Sequence, residues 1–559
     1  MEWWIVLLTT LSFAQSAGKP VSNAEGKPSS VAETGNGACA SCHAEIYKSY
    51  SNTVMATASG AAADGLVTGG FDDKDSGVRY RVYQQDGRVW MSFARAGKNA
   101  LHGERELSYF IGSGKKGRTY LFSEDGFLFE TPINWYSQER RWNLTPAYIG
   151  TAEIPMNLPA YPSCLNCHTS GMQAPDPGTD SKFSGKPFQH GGITCERCHG
   201  ADLKHGEKGD SSGLAAIVNP AKLTPERRDS ICMECHFEGA AAVEQPGKHL
   251  YAFQPGERLS DYVHYFLLSD NQERSPHALS QYEALSLSAC QRKSGEKMWC
   301  GTCHDPHAEP PASEKAAYYR AKCLACHGRG AAGAEFAAKH HAEKPDCTEC
   351  HMPSLPSKDV AHTEATDHRI MRYPNQALLP KLQTRGERLK SFPQRDESLV
   401  TERDYALAWE TLAQQGVDRA EQAAEEALRK AVKENPEDPE LLAALGFVEQ
   451  RHFHEGVARE LYERALKINP LLIDAAVNLG VLDARAGDAK RAVELWQGAF
   501  ARAPQRSVIG MNLAMVFCAA GQRDVAKKYV DRLLEFNPDY GKGRSLLKHL
   551  GEENGECRP

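Results

Sequence analysis

Two stretches in the first third of the chain alternate between hydrophobic and polar residues. The first is VRYRVYQQDGRVWMSFAR (78–95), which turns at QDGR, and the second is RTYLFSEDGFLFETPINWY (118–136), which turns at EDG. A period of two is typical of strands with one buried face, and Asp-Gly favours a tight hairpin turn. The pattern predicts an antiparallel β insertion over residues 71–160.

A 34-residue period follows residue 400. Prolines recur at this spacing, and small residues repeat at two further offsets: Pro436, Pro470, Pro504 and Pro538; Gly446, Gly480 and Ala514; Ala458, Ala492 and Ala526. This is the pattern of tetratricopeptide repeats, whose small residues let paired helices approach closely. It predicts an all-α solenoid at 401–550, with a degenerate first repeat in which Leu412 replaces glycine. Such an array either binds a partner protein or serves as a scaffold.

The N-terminal residues MEWWIVLLTTLSFAQSA hold an apolar run that is too short to span a bilayer and ends in small residues. These features predict a signal peptide at 1–17 and a periplasmic or otherwise extracytoplasmic protein. The run lacks a preceding Lys or Arg, and an uncleaved anchor is the alternative. Residues 18–36 are rich in Gly, Pro and Ser, and we interpret them as a flexible linker.

Fourteen of the 17 cysteines form seven Cys-x-x-Cys pairs, and a histidine follows every pair. The cysteines are Cys39, Cys42, Cys164, Cys167, Cys195, Cys198, Cys232, Cys235, Cys300, Cys303, Cys323, Cys326, Cys347 and Cys350. The histidines are His43, His168, His199, His236, His304, His327 and His351. Zinc sites and disulfides do not require that histidine, whereas Cys-x-x-Cys-His is the signature of covalent c-type haem attachment.

In this chemistry two thiols bond to one porphyrin, and the adjacent imidazole binds the iron from the proximal side. The sequence therefore predicts seven covalently bound haem c groups. Six of the motifs lie within residues 164–351, about 31 residues each. So short a chain cannot bury six porphyrins behind separate protein cores. We expect the haems to pack closely against one another.

These patterns together define the predicted fold class, which is mainly α. A multihaem cytochrome c domain of short helices and loops carries the antiparallel β insertion and precedes the tetratricopeptide solenoid. The predicted segments are the first haem segment at 37–70, the β insertion at 71–160, the multihaem core at 161–375, a linker at 376–400 and the repeats at 401–550.

The formal net charge of the chain is -7. Haem propionates make the loaded protein more acidic, so its field attracts basic proteins. The composition shows no bias towards nucleic-acid binding, and no segment after the N-terminus is apolar enough to span a membrane. We expect redox partner proteins that dock through the acidic surface and the repeats.

A set of longer stretches accompanies the motifs: YFIGSGKKGRTYLFSEDG, CERCHG, IVNPAKLTPERRDSICMECH, FQPGERLSDY, CGTCHDPH, and CTECHMP with TDHRI. The chain thereby resembles bacterial multihaem c-type cytochromes of the doubled Cys-x-x-Cys-His type, which are often fused to tetratricopeptide repeats. The resemblance covers about residues 36–375 plus the repeats, and it implies extracytoplasmic electron transfer. Relatives often place a histidine ligand where this chain has Met55. Met55 is therefore a candidate axial ligand, with a packing role as the alternative.

Electron transfer alone requires a second axial ligand on each iron. Eleven histidines of residues 102–368 lie outside the motifs: His102, His190, His205, His249, His264, His277, His307, His340, His341, His362 and His368. From their positions and the resemblance we favour His205, His307, His341, His362 and His368 as distal ligands; a surface role is the alternative for each. His307 follows His304 too closely to reach the far side of the same iron, so we expect it to cap a neighbouring haem.

The predicted function is electron relay through the haems, with the repeats as a docking module. The alternatives are a multihaem oxidoreductase acting on nitrite, hydroxylamine or a sulfur oxyanion at one open haem, and an assembly scaffold. Every motif keeps its histidine, which argues against the usual pentahaem nitrite reductase with its lysine ligand. No catalytic residue is assigned. We interpret Cys290 as a buried inert thiol, with a reactive thiol or an unusual haem contact as the alternatives. A disulfide between Cys518 and Cys557 is compatible with an oxidising compartment.

Overall fold

The computed structural model describes residues 35–97, 99–145, 148–200, 217–268, 280–329, 333, 335, 346–353, 366–371, 388–552 and 555–558. The predicted signal peptide (1–17) and nearly all of the following linker lie outside these residues. Within them, no helix combines the length and the apolar character needed to cross a membrane.

An antiparallel sheet of eight strands occupies the N-terminal part of the described chain. Its strands are β1 (Ser59–Ala61), β2 (Gly69–Asp72), β3 (Arg79–Gln85), β4 (Arg88–Arg95), β5 (Leu101–Ile111), β6 (Gly117–Glu124), β7 (Phe127–Tyr136) and β8 (Arg141–Leu144). Strands β2 to β8 follow one another in order, and β1 pairs with β5. The predicted β insertion is confirmed, and the sheet additionally takes in β1 from the predicted first haem segment.

Both hairpins predicted from the alternating pattern have a two-residue turn with left-handed backbone. Asp86 and Gly87 have φ of 52° and 76°, and Asp125 and Gly126 have φ of 51° and 80°. Two consecutive residues with positive φ match the twist of the flanking strands, which is why Asp-Gly is favoured here. One face of the sheet is buried, with Tyr80, Met91, Phe122 and Phe129 at its centre.

Most helices in the described part of the motif-bearing chain are short. They are α1 (Asn36–Ala40), α2 (Ala44–Tyr50), α3 (Pro162–His168), α4 (Glu196–His199), α5 (Pro225–His236), α6 (Gln281–Leu287), α7 (Ala289–Ser294), α8 (Cys300–Cys303), α9 (Lys315–His327) and α10 (Cys347–His351). A two-stranded sheet pairs β9 (Thr169–Ser170) with β10 (His190–Gly191).

The motif-bearing region also contains a three-stranded sheet, where the sequence predicted only short helices and loops. Its strands, in spatial order, are β11 (Ala241–Glu244), β12 (Val263–Leu268) and β13 (Leu389–Phe392). Strand β12 reads VHYFLL and is buried on both faces, so it lacks the alternation by which strands are recognised. Strand β13 lies in the segment predicted as a linker, whose residues 376–387 fall outside the described part.

The C-terminal region consists of paired antiparallel helices, as the 34-residue period predicts. They are α11 (Glu402–Gln414), α12 (Ala420–Glu434), α13 (Pro439–Arg451), α14 (Glu455–Ile468), α15 (Ile473–Arg485), α16 (Ala489–Arg502), α17 (Ser507–Ala519), α18 (Arg523–Phe536) and α19 (Gly541–Gly551). A Cβ on Gly446 would lie 2.9 Å from the Tyr462 ring, and one on Gly480 would lie 2.4 Å from the Trp496 ring. The repeated small residues therefore permit close helix packing.

The helical repeats pack directly on the rest of the chain. At one end, Phe536 joins the hydrophobic core of the large sheet, with ring centroids 5.9 Å from Phe127 and 5.8 Å from Phe129. Beside it, Arg95 Nη1 donates to Asp539 Oδ2 at 3.0 Å. The repeats are therefore in contact with the large sheet through a buried ring and an ion pair.

The first repeat contacts the three-stranded sheet. Asp404 Oδ2 lies 3.0 Å from Nδ1 of His264, and both side chains are almost fully buried. Arg403 Nη1 donates to the Glu244 carbonyl at 3.3 Å.

A disulfide joins Cys518 of α17 to Cys557 near the C-terminus, and their Cα atoms are 5.9 Å apart.

Candidate functional site

Six of the motifs lie in short helices or at the C-terminal ends of longer ones, and the motif at Cys39 spans the turn between α1 and α2. Helix α3 ends with the motif at Cys164, α5 with the one at Cys232, and α9 with the one at Cys323. Residues i, i+3 and i+4 of a helix share one face, so the two cysteines and the histidine project to the same side. Proline at the first turn starts α3 and α5, where its missing amide hydrogen costs no hydrogen bond.

Several motif histidines hold one ring nitrogen on a backbone carbonyl. Nδ1 of His199 donates to the Val218 carbonyl at 2.7 Å, and Nδ1 of His351 donates to the Met371 carbonyl at 2.6 Å. Nδ1 of His168 lies 3.4 Å from the Ala58 carbonyl. Metal-binding histidines typically donate their other ring N–H in this way, which fixes the tautomer and the ring orientation. In these histidines Nε2 is the nitrogen suited to bind a metal.

The surroundings of the motif histidines favour neutral imidazole. Burial lowers the pKa of His168 and of His199. Desolvation by surrounding protein atoms also lowers the pKa of His236, a residue that keeps part of its surface exposed. A neutral imidazole is the form that coordinates a metal ion.

Cysteines of different motifs contact one another. The contacting thiol pairs are Cys39 with Cys195, Cys167 with Cys235, Cys232 with Cys300, and Cys323 with Cys347. Burial, followed by the Cys235 thiol, raises the pKa of Cys198 to about 12. The Cys326 thiol is an electrostatic neighbour of Cys303, whose pKa burial raises. Together these neighbours link all seven motifs into one contiguous group.

Two histidines outside the motifs face motif histidines. The His307 ring lies parallel to the His199 ring, with an interplanar angle of 9° and ring centroids 5.8 Å apart. The His368 ring faces the His304 ring at 6.1 Å and 31°. Nδ1 of His368 donates to the Thr366 carbonyl at 2.6 Å, and the Tyr319 hydroxyl lies 3.2 Å from Nδ1 of His304.

The separation of the ring centroids matches that of two imidazoles bound to one metal ion. Metal–imidazole bonds are about 2 Å long, which sets the centroids of two axial rings on one metal roughly 6 Å apart. His199 with His307, and His304 with His368, both have this separation. Each motif histidine also comes with two thiols on the same helical face. The donor set therefore fits a covalently attached haem with two imidazole ligands.

The other distal candidates divide into two groups. His205, His341 and His362 lie outside the described residues, so their roles stay predictions. The backbone carbonyl of Met55 accepts hydrogen bonds from the amides of Ala58 at 3.2 Å and Ile193 at 2.9 Å. This places residue 55 beside the chain that leads into the motif at Cys195, and its role as a ligand also stays a prediction.

Cys290 lies close to the motif thiols of the fifth and sixth motifs. Burial, followed by the Cys326 thiol, raises its pKa. A thiol with a raised pKa is mostly protonated and weakly nucleophilic at neutral pH, which supports its interpretation as an inert thiol.

The sequence did not single out the role of His264. It lies on β12 and pairs with Asp404 of the first repeat, so it joins two parts of the fold. No motif signals such a pairing, because the partners are 140 residues apart.

Comparison with known proteins supports the cofactor class. A family model described as cytochrome c554 and c-prime matches residues 147–200, which include the motifs at Cys164 and Cys195. The multiheme cytochrome MtrA of Shewanella baltica (strain OS185) is 26% identical over 175 residues. The chain is similar to multihaem c-type cytochromes. That match covers 30% of this chain, and the chain spans about half, 52%, of the length of this curated relative.

Several solved structures also match segments of the chain. MamA from Desulfovibrio magneticus RS-1 is 18% identical, with a TM-score of 0.24, over 26% of this chain and 84% of that one. A tetratricopeptide repeat protein from Parabacteroides merdae is 19% identical, with a TM-score of 0.23, over 27% and 59%. PilF of Pseudomonas aeruginosa is 24% identical, with a TM-score of 0.22, over 24% and 61%.

Proposed function

We propose that this chain is an exported heptahaem c-type cytochrome that relays electrons through closely packed covalent haems. The observation that carries the proposal is the parallel pair of His199 and His307, whose centroids are 5.8 Å apart. His199 follows a Cys-x-x-Cys pair, and His307 belongs to a different motif segment. An iron held between two imidazoles is a closed site that exchanges electrons and binds no substrate.

The paired rings support two distal-ligand assignments. His307 would bind the iron opposite His199, and His368 would bind the iron opposite His304. The segment Cys300–His307 thereby serves two haems: Cys300, Cys303 and His304 hold one, and His307 caps another. Haem iron supplies reversible one-electron chemistry when bound.

The thiol contacts support a specific order of neighbours. We number the motifs one to seven along the chain, beginning at Cys39. Thiol contacts join motif one to three, two to four, four to five and six to seven. Electrostatic neighbours join motif three to four and five to six. Attachment points this close would hold bound haems as neighbours, and these haems would supply one-electron transfer along this order.

Motif one, at one end of this order, and motif six, next to the other end, have exposed residues. Cys42 and His43 of motif one are exposed, and so are Cys326 and His327 of motif six. Spacer residues within motifs two to four are buried, among them Leu165 and Met233. We therefore assign electron entry and exit to motif one at one end and to motifs six and seven at the other, and the donor and acceptor to redox proteins.

Two measurements on the purified protein test the proposal. Mass spectrometry counts the covalent haems, and electron paramagnetic resonance of the oxidised protein counts low-spin and high-spin irons. We expect seven haems, with low-spin signals that nitrite, hydroxylamine and sulfite leave unchanged. A high-spin signal that shifts on adding one of these compounds would instead favour the oxidoreductase alternative.

Substitution of the facing histidines tests the ligand assignment. We expect His307→Ala and His368→Ala each to convert one low-spin signal to high spin while all seven haems stay attached. His102→Ala, at an exposed position on β5, is the matched control and should leave the spectrum unchanged. A His307→Ala spectrum identical to that of the control would refute the assignment.

The docking role of the repeats and of the acidic surface is part of the same proposal. An acidic protein attracts basic partners, and salt screens that attraction over a Debye length of about 8 Å at physiological ionic strength. We expect the rate of electron transfer to a small basic redox protein to fall as ionic strength rises. A rate that does not depend on salt would contradict docking through acidic charges.

A further inference from the structure

The second spacer residue of the motifs, which lies directly before the second cysteine, has a different chemical character in each of motifs two, three and four. It is Asn166 in CLNC, Arg197 in CERC and Glu234 in CMEC. Covalent haem attachment requires nothing of these positions beyond their number. Their side chains are nonetheless brought together in the fold.

The three side chains form a buried hydrogen-bonded network. Arg197 Nη2 donates to Glu234 Oε1 at 2.5 Å and to Asn166 Oδ1 at 3.1 Å. Asn166 Nδ2 donates to the same Glu234 oxygen at 3.2 Å, and Arg197 Nη2 also reaches the Asn166 carbonyl at 3.1 Å. The Glu234 side chain is 2% exposed and that of Arg197 is 11% exposed. One residue from each motif thus completes the network.

The network lies among the attachment thiols of the same motifs. Each of its residues directly precedes an attachment cysteine: Cys167, Cys198 and Cys235. Cys167 Sγ is 3.8 Å from the Glu234 carbonyl, and the thiols of Cys167 and Cys235 are in contact. A unit charge at this point is close to three attachment sites at once.

Stability alone does not explain a buried ion pair at this place. Removing two charges from water costs several kcal/mol per ion, and well-packed apolar residues are often as stabilising. Charges in a buried site, however, act strongly on neighbouring charges because water screens them little. Net charge and burial are among the properties by which a protein sets the potential of a haem.

We infer that Arg197 and Glu234 set the reduction potentials of the haems at motifs two, three and four and hold these motifs in a fixed arrangement. The inference rests on the proposed function, because it requires haems at these motifs. Both residues are positioning residues: they act on the haems through their charge and through the spacing of the motifs. The network joins motifs two, three and four directly, so a change in it acts on all three motifs.

The signs of the expected effects follow from electrostatics. Reduction adds an electron, so a nearby positive charge favours it and a nearby negative charge opposes it. We expect Arg197→Gln to lower the equilibrium constant for reduction of at least one of these haems tenfold or more, which is 59 mV for a one-electron couple. Glu234→Gln should raise such a constant by a similar factor. Arg197→Lys, which keeps the charge, should shift it less than Arg197→Gln.

Glu349 provides a matched control. It occupies the same spacer position in motif seven, but it is exposed to solvent. Glu349→Gln makes the same chemical change as Glu234→Gln, and we expect it to alter every equilibrium constant less than twofold because water screens an exposed charge.

The experiment is a spectroelectrochemical titration of the holo-protein and each variant, with covalent haems counted by mass spectrometry. Opposite shifts in Arg197→Gln and Glu234→Gln, both larger than that of Glu349→Gln, support the inference. Shifts no larger than the control, with all haems attached, overturn it. If both single variants fail to fold while the double variant folds, the pair is purely structural, which also overturns it. Lack of covalent haem in the unaltered protein would refute the proposed function instead.

Discussion

The contact between the helical repeats and the large sheet leads to a prediction that can be worked out quantitatively. Phe536 is the last residue of α18, and its side chain is 1% exposed. It lies within the core of the sheet, edge-on to both Phe127 and Phe129. We expect Phe536→Ala to remove these contacts and to leave a cavity at the junction.

The expected loss is about 4 kcal/mol of unfolding free energy. Phe→Ala at a buried site costs roughly 3–5 kcal/mol, because the transfer free energy of the ring is lost and the surroundings relax only in part. Phe453→Ala is the control: this phenylalanine belongs to the same repeat region, but its side chain is 79% exposed. Substitutions at exposed positions usually change stability by less than about 0.5 kcal/mol.

Denaturant unfolding of the holo-protein measures both variants. Haem absorbance reports on the motif-bearing region, and far-ultraviolet circular dichroism reports mainly on the helical repeats. We expect Phe536→Ala to unfold at lower denaturant concentration than the unaltered protein, and to separate the two signals by weakening the junction. If Phe536→Ala loses no more stability than Phe453→Ala, the result would refute the packing of Phe536 in the core of the sheet.

Three further predictions concern other contacts. Burial would raise the pKa of Asp404, but hydrogen bonds from His264 and Thr401 lower this pKa below its usual value of 3.8. The ionised carboxylate therefore stabilises the fold above pH 3.8, and this stabilisation is lost as the pH falls through the lowered pKa. Asp404→Asn should reduce stability at pH 7 and flatten this loss in unfolding curves between pH 5 and 3; an unchanged acid profile would contradict the pairing. Cys557→Ser should lower the free energy of unfolding by about 4 kcal/mol, because it opens a loop of 39 residues. Reduction of the disulfide in the unaltered protein should lower it by the same amount. Tyr50→Phe removes a 2.7 Å hydrogen bond to the Ile193 carbonyl and should cost about 1 kcal/mol; no measurable loss in thermal unfolding would show that the bond contributes nothing.

The packing of the repeats also determines how their docking role is tested. Deletion of residues 400–559 would remove Asp404 from beside buried His264 and Phe536 from the core of the sheet. Loss of partner reduction after such a deletion would therefore report on stability as well as on docking. Substitutions at exposed positions of the repeats separate the two effects.

Local patterns in the sequence determined the elements and the attachment chemistry. Alternation with Asp-Gly turns predicts the hairpins β3–β4 and β6–β7, and the 34-residue period predicts the paired helices α11 to α18. The Cys-x-x-Cys-His spacing predicts each haem motif by itself, because both thiols and the proximal imidazole would come from five consecutive residues. Such features depend only on neighbours along the chain, so no tertiary contact is needed to recognise them.

Tertiary structure alone decided which distant residues meet. His307 faces His199 across 108 residues, and His368 faces His304 across 64. Arg197 and Glu234 occupy spacer positions that look interchangeable in the sequence, yet they form one buried pair. Strand β12 is buried on both faces, and this burial removes the alternation by which a strand is recognised. In each case the partner is supplied by the packing of separate segments, and the spacing of residues along the chain does not encode it.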